Sequence, residues 1–197
     1  MAQALPPLRF VRSVLKSFMA ESGLEPRLLG ANHLRITNAV HGRVDFELDV
    51  TKDHTNRLGI LHGGTIASMV DLGGSLAVAS TGLYATGVST DLNGKPPPLI
   101  MSYPRCYFTM PSSCSSGIEN LYESTVTYLN GGGTAGAKIT ATAVFGRTLA
   151  YTSVTFQNRK GEIAARGSHT KYVMQAVRAQ GSPFVVPEGA EIADEEE

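Results

Sequence analysis

The chain has 197 residues, 42% hydrophobic and 17% charged, with 17 basic and 17 acidic side chains and a formal net charge of zero. That length suits one domain, or one domain with tails, and is enough for a sizeable core. The charge balance excludes a broad basic surface for nucleic acid or anionic membrane, and two cysteines (Cys106 and Cys114) without a Cys/His cluster argue against a disulfide framework or a zinc site.

Residues 1–20 carry Arg9, Arg12 and Lys16 and no acid, with apolar side chains at Leu8, Val11, Val14, Leu15 and Phe18. This basic, amphipathic pattern reads as a helix over 8–20 packed on the domain, stopped near Gly23 and Pro26. It is also the form of a mitochondrial transit peptide, so the compartment reads as mitochondrial or cytoplasmic and not secreted. Two strands are expected at 31–37 and 42–50. The second, Val44 to Val50, alternates apolar and polar residues, so one face is buried. Residues 51–61 form a polar loop.

His62-Gly63-Gly64 then opens an apolar stretch running to about Ser80, with Asp71 its only charge. A helix apolar almost all round is buried, and its small residues imply close approach by other backbone. No apolar run reaches the roughly 18 residues of a membrane span, so no membrane insertion is expected.

Residues 94–125 break the pattern: this segment holds five of the ten prolines, both cysteines and six serines. It has no sustained periodicity, and a long structureless loop inside a compact domain is anomalous. Without it, Gly87 to Asn93 would join Val126 to Asn130 as one strand. Two readings stay open. One is a surface insertion near the site. The other is a translated, unspliced intron: Gly94-Lys95 can be encoded as G-GTAAG, and Thr125-Val126 with an acceptor ending ACAG, so that joining restores a valine codon.

Further strands are expected at 136–145, 148–157 and 162–173, with turns at Gly146-Arg147 and Arg159-Lys160-Gly161. Residues 174–197, with Pro183, Pro187 and a closing acidic run, read as a solvated, disordered tail. The expected organisation is an N-terminal helix (1–26), a domain over 27–173 interrupted at 94–125, and that tail. The class is α+β, an antiparallel sheet around one long central helix.

Thr55 to Gly64, then Val70-Asp71, Gly87 to Asn93, Gly146 to Val154 and Arg166 to Lys171 resemble the 4-hydroxybenzoyl-CoA thioesterase superfamily. The branch they resemble is that of thioesterase superfamily member 2 (acyl-CoA thioesterase 13) and the phenylacetate-pathway thioesterases. The resemblance implies a hotdog fold and hydrolysis of acyl-CoA to free acid and CoA. It also implies a homodimer or homotetramer with sites at the subunit interface. There Asn56 and Gly63 of one chain would face Asp71 and Ser89 of the other.

The residues fit that chemistry. Glycines at a buried helix start offer backbone N–H groups to an oxyanion, and the helix dipole favours the charge. Asp71, nine residues after His62 and about 13 Å along the helix, is too far to act on a carbonyl held at its own Gly63. It suits a general base or a nucleophile, with Ser89 orienting the water. Asn56 holds the carbonyl or the glycine turn, and His62 positions that turn. Arg147 and Lys171 are candidates for the phosphates of CoA, and Asn130 and Gly131 for its pantetheine arm. Asp91 and Thr148 complete the CoA-facing set. No metal, and no cofactor beyond CoA as part of the substrate, is expected; the partner is acyl-CoA, not nucleic acid. A dehydratase lacks its second acid/base group, and a serine hydrolase lacks a Gly-x-Ser-x-Gly elbow. The alternative is a non-catalytic acyl-CoA-binding protein of the same fold.

Overall fold

A computed structural model of the chain describes residues 4–30, 33–93, 127–128, 137–146, 148–158 and 160–194. Helices α1 (Pro7–Glu21) and α2 (Glu25–Leu29) precede a hairpin of β1 (Leu34–Val40) and β2 (Arg43–Leu48). A 3-10 turn (Lys52–His54) leads into the central helix α3 (Gly63–Ala79). Then come β3 (Val88–Asn93), β4 (Thr127–Tyr128), β5 (Ala137–Phe145), β6 (Leu149–Gln157), β7 (Ile163–Tyr172) and α4 (Met174–Ala179). The strands form one antiparallel sheet in the order β1-β2-β5-β6-β7-β3, with β4 also paired to β7.

Helix α3 packs against β2, β3, β5, β6 and β7, as its apolar composition requires. Two glycines let it approach closely. A Cβ at Gly73 would lie 2.9 Å from the Phe46 ring, and one at Gly74 would lie 2.9 Å from His169 Nδ1. Phe46, Leu48, Ile139, Val154 and Phe156 close the core from the sheet side. Along β7 the period of two buries Ala165, Gly167, His169 and Lys171 on the inner face, while Arg166 is exposed.

Helix α1 covers another side of the core with Phe10, Val11 and Val14, all fully buried. Each such side chain contributes about 2 kcal/mol of hydrophobic stabilisation. The Phe10 ring meets Tyr84 and Phe184 edge to face, at centroid distances of 6.3 and 5.5 Å. Packing within the domain thus accounts for the amphipathic pattern of residues 8–20.

The C-terminal region differs from the solvated tail expected from the sequence. After α4 the chain runs back across α1: Val186 and Ala193 are buried. The Ala193 N–H donates to Ser13 Oγ at 2.9 Å, and Arg9 Nε donates to the Ala193 carbonyl at 2.9 Å. The Leu5 N–H donates to the Phe184 carbonyl at 2.9 Å. Only residues 195–197 of this region lie outside the described residues.

β3 and β4 lie end to end along β7. Asn93 is opposite Ser168, and Thr127 is opposite Arg166. One residue of β7, Gly167, separates the two pairings. The segment 94–125 lies outside the described residues. Its two flanks nevertheless keep the register of a single strand.

Candidate active site

Two clusters of the expected site residues lie along α3. The first is built around its N-terminus. His62 is the N-cap, with extended backbone, and its Nδ1 accepts a hydrogen bond from the Gly64 N–H at 2.8 Å. This satisfies one of the helix's unpaired donors and fixes the imidazole with its proton on Nε2. The loop before it is tied down as well. The His62 N–H donates to the His54 carbonyl at 2.8 Å, and Thr65 Oγ1 donates to the same carbonyl at 3.1 Å. Asn56 Oδ1 accepts from the Leu58 N–H at 2.8 Å, so this side chain shapes the turn leading to the glycines. His62 and Gly64 are exposed and Gly63 is half-buried.

His62→Ala is expected to lower stability by about 1 kcal/mol through loss of the cap. In a chain of this size that moves Tm by about 2–4 °C. His62→Asn, a good N-cap, should recover most of it in a thermal melt.

The second cluster surrounds Asp71. From Thr65 to Ser80 every residue of the helix is buried except Ala67, Ser68 and Asp71. Their spacing puts them on one face together with Gly64. The Asp71 side chain is 51% exposed, rather than enclosed as its apolar neighbours in sequence suggest. Its Oδ1 accepts from Ser89 Oγ on β3 at 3.4 Å. Two nitrogens of β7 approach the same oxygen: His169 Nδ1 at 3.4 Å and Lys171 Nζ at 3.9 Å.

Lys171 departs from its expected place at a CoA phosphate. Its side chain is only 4% exposed, and its ammonium donates to Ser75 Oγ at 2.8 Å under α3. Burial pulls its pKa below the usual lysine value, and the Asp71 carboxylate opposes this. His169 is fully buried, and among the described residues neither ring nitrogen makes a hydrogen bond. Burial first, and then the Lys171 charge, push its pKa down to about 4 against the pull of Asp71 and Asp91. The imidazole is therefore neutral near pH 7.

His169 and Ser75 are not among the residues that the sequence motifs single out. The signal for them is periodicity. His169 shares the inward face of β7 with Ala165 and Gly167, and Ser75 is one helical turn beyond Asp71.

Of the CoA-facing candidates, Asp91 is exposed on β3 opposite Thr170, beside a bulge between Ser89 and Asp91. Thr148 sits before β6, and its carbonyl accepts the Val173 N–H at 2.9 Å. Asn130, Gly131 and Arg147 lie outside the described residues. Among the described residues, no three His, Cys, Asp or Glu side chains are grouped to hold a metal, and no helix is long and apolar enough to cross a membrane.

Gly63 and Asp71 are eight residues apart on one helix, about 12 Å along its axis. The arrangement has two separate features, a glycine-rich helix start and a half-exposed carboxylate with a hydroxyl beside it. β3, which carries that hydroxyl, ends the sheet. Among the described residues no strand pairs with its outer edge, where Val88 and Leu92 are exposed.

Comparison with known proteins agrees with this fold. No protein-family model matches the chain. A protein of Schizosaccharomyces pombe that carries an esterase name is 36% identical over 173 residues, 86% of each chain. Human acyl-coenzyme A thioesterase 13 is 30% identical over 167 residues, covering 83% of this chain and 94% of the human protein. The crystal structure of zebrafish thioesterase superfamily member 2 superposes with a TM-score of 0.61 at 28% identity, covering 84% of this chain and 96% of that one. The mouse protein of the same name gives 0.58 at 25% identity, covering 83% and 96%. The sheet around one central helix is thus a hotdog fold, and the chain belongs to the acyl-CoA thioesterase 13 (thioesterase superfamily member 2) family of thioester hydrolases.

Proposed function

We propose that this chain hydrolyses acyl-CoA thioesters to free acid and CoA, at a site shared between two copies in a homodimer or a homotetramer. Asp71 takes a proton from a water held by Ser89, and the oxygen of that water bonds to the thioester carbonyl carbon. The carbonyl oxygen gains the negative charge and is received by backbone N–H groups at the start of the other copy's α3, around Gly63. Collapse of the intermediate breaks the C–S bond, and CoA leaves as thiolate or, once protonated, as thiol. Water ends as the carboxylic acid's new oxygen.

The observation that carries this reading is the convergence of Ser89 and Asp71 at 3.4 Å on the one uncovered face of an otherwise buried helix. The roughly 12 Å between Asp71 and its own Gly63 supports a second chain completing the site, and the open edge of β3 is a surface where a strand can add. Of the CoA-facing set, Asp91 is exposed on that edge strand, as a CoA contact needs. Thr148, Asn130, Gly131 and Arg147 remain part of the proposal.

The test is thiol release by the purified full chain from short, medium and long acyl-CoAs and an aryl-acetyl-CoA, beside light scattering for mass. Release well above chemical background by a species of at least two chains is expected. Binding of CoA without release from any substrate would instead make the protein a non-catalytic acyl-CoA binder.

A further inference from the structure

Lys171 is a long cation held inside the fold. The β3–β7–β6 register puts it in one row with Ser89 and Ala150, pointing inward beneath α3. Its Nζ reaches two side chains of that helix one turn apart: Ser75 Oγ at 2.8 Å and Asp71 Oδ1 at 3.9 Å. The first is neutral, so Asp71 is the carboxylate that balances the ammonium. A buried cation without such a balance gives up its proton or destabilises the fold. The carboxylate in turn is approached from three sides by β3 and β7: the Ser89 hydroxyl, the His169 ring and the Lys171 ammonium. His169 is uncharged near pH 7 and Asp91 lies farther along β3, so the positive charge facing Asp71 is that of Lys171.

We infer that Lys171 is a positioning residue for the reaction: anchored by Ser75, it holds the Asp71 carboxylate turned toward Ser89, rather than recognising a phosphate of CoA. The inference rests on the thioesterase reading above. Burial gives it a definite character. A surface lysine facing a phosphate acts through substrate affinity and is screened by salt. A buried ammonium beside the general base acts on kcat and on the pH at which the base loses its proton.

The experiment compares the full-length wild type with Lys171→Met and Ser75→Ala on an acyl-CoA and on the matching acyl-N-acetylcysteamine thioester, which lacks the nucleotide and all phosphates. Lys171→Met is expected to lower kcat about tenfold or more on both thioesters, with KM for acyl-CoA within about twofold. The acidic limb of its kcat/KM profile should move to higher pH, because loss of a nearby cation disfavours the carboxylate. Ser75→Ala should shift the limb the same way by less, and it carries the test if Lys171→Met does not fold.

A loss confined to acyl-CoA and expressed in KM would overturn the inference in favour of a phosphate contact. A lower Tm with an unmoved pH profile would reduce Lys171 to a structural part. If the wild type itself releases no thiol, the thioesterase reading fails separately. The pairing is then read from melts of Lys171→Met, Asp71→Asn and the double variant: non-additive losses support the pair, and additive ones refute it.

Discussion

Asp71→Ala is expected to lower kcat by about 10²–10⁴-fold, the usual range for a lost general base, while the affinity for CoA stays within about twofold. The carboxylate is the one acidic side chain on α3, and Ser89 donates to it at the uncovered face. Thiol release under saturating substrate measures the first quantity, and titration calorimetry with CoA the second. Near-normal turnover would remove Asp71 from the chemistry and leave His62 as the remaining proton-transfer candidate.

Loss of this carboxylate also has a thermodynamic signature, because Asp71 is the counter-charge of Lys171. In Asp71→Asn, burial acts on the ammonium unopposed, so its pKa in the folded state falls further below the usual lysine value. As pH drops, the unfolded chain then takes up a proton that the folded one resists. The variant's Tm should therefore rise with pH relative to wild type, visible in paired melts on the acid and alkaline sides of neutrality.

The second large effect concerns residues 94–125. A chain lacking them is expected to form a tighter dimer than the full chain and to release CoA at a rate well above it. The reason is register. Asn93 already faces Ser168 and Thr127 already faces Arg166, so deletion brings Val126 opposite Gly167 with no residue left over. β3 and β4 then become one uninterrupted edge strand carrying Ser89. A longer continuous edge offers a partner strand more backbone donors and acceptors in line. Light scattering and thiol release on both forms decide the matter, and RNA reads joining the codons of Asn93 and Val126 would give the deleted form a natural origin. If the full chain is already dimeric and equally active, the segment is a tolerated surface insertion.

The central helix and the late strands were legible because their signals are local. An apolar run after His62-Gly63-Gly64 has one physical solution, a buried helix, and β-branched alternation from Ala137 onward fixes strands to within a residue or two. The surroundings of Asp71 were less legible. Apolar neighbours in sequence imply enclosure, but the exposure of one helical face depends on where the sheet stops. Lys171 shows a related failure. Charge argues for the surface, whereas the parity it shares with Ala165 and His169 argues for the interior, and the strand's register prevails. The segment after α4 lacked any period to read. Val186 and Ala193 are buried singly, and hydrogen bonds to Ser13 Oγ and from Arg9 Nε hold the strap in place.

That strap also bears on the order in which the protein is completed during synthesis. Arg9 and Ala193 are 184 positions apart, and Ser13 and Ala193 are 180 apart. The outer side of α1 therefore waits for nearly the whole domain that follows it to be translated. Until then Phe10 lacks Phe184, and Ser13 Oγ lacks the Ala193 N–H. Closure over such separations is slow in the way that non-local topologies are slow. Helix α1, made before the rest of this domain, is thus among the last of its elements to be locked, and it is a place where the nascent chain needs shielding from its neighbours.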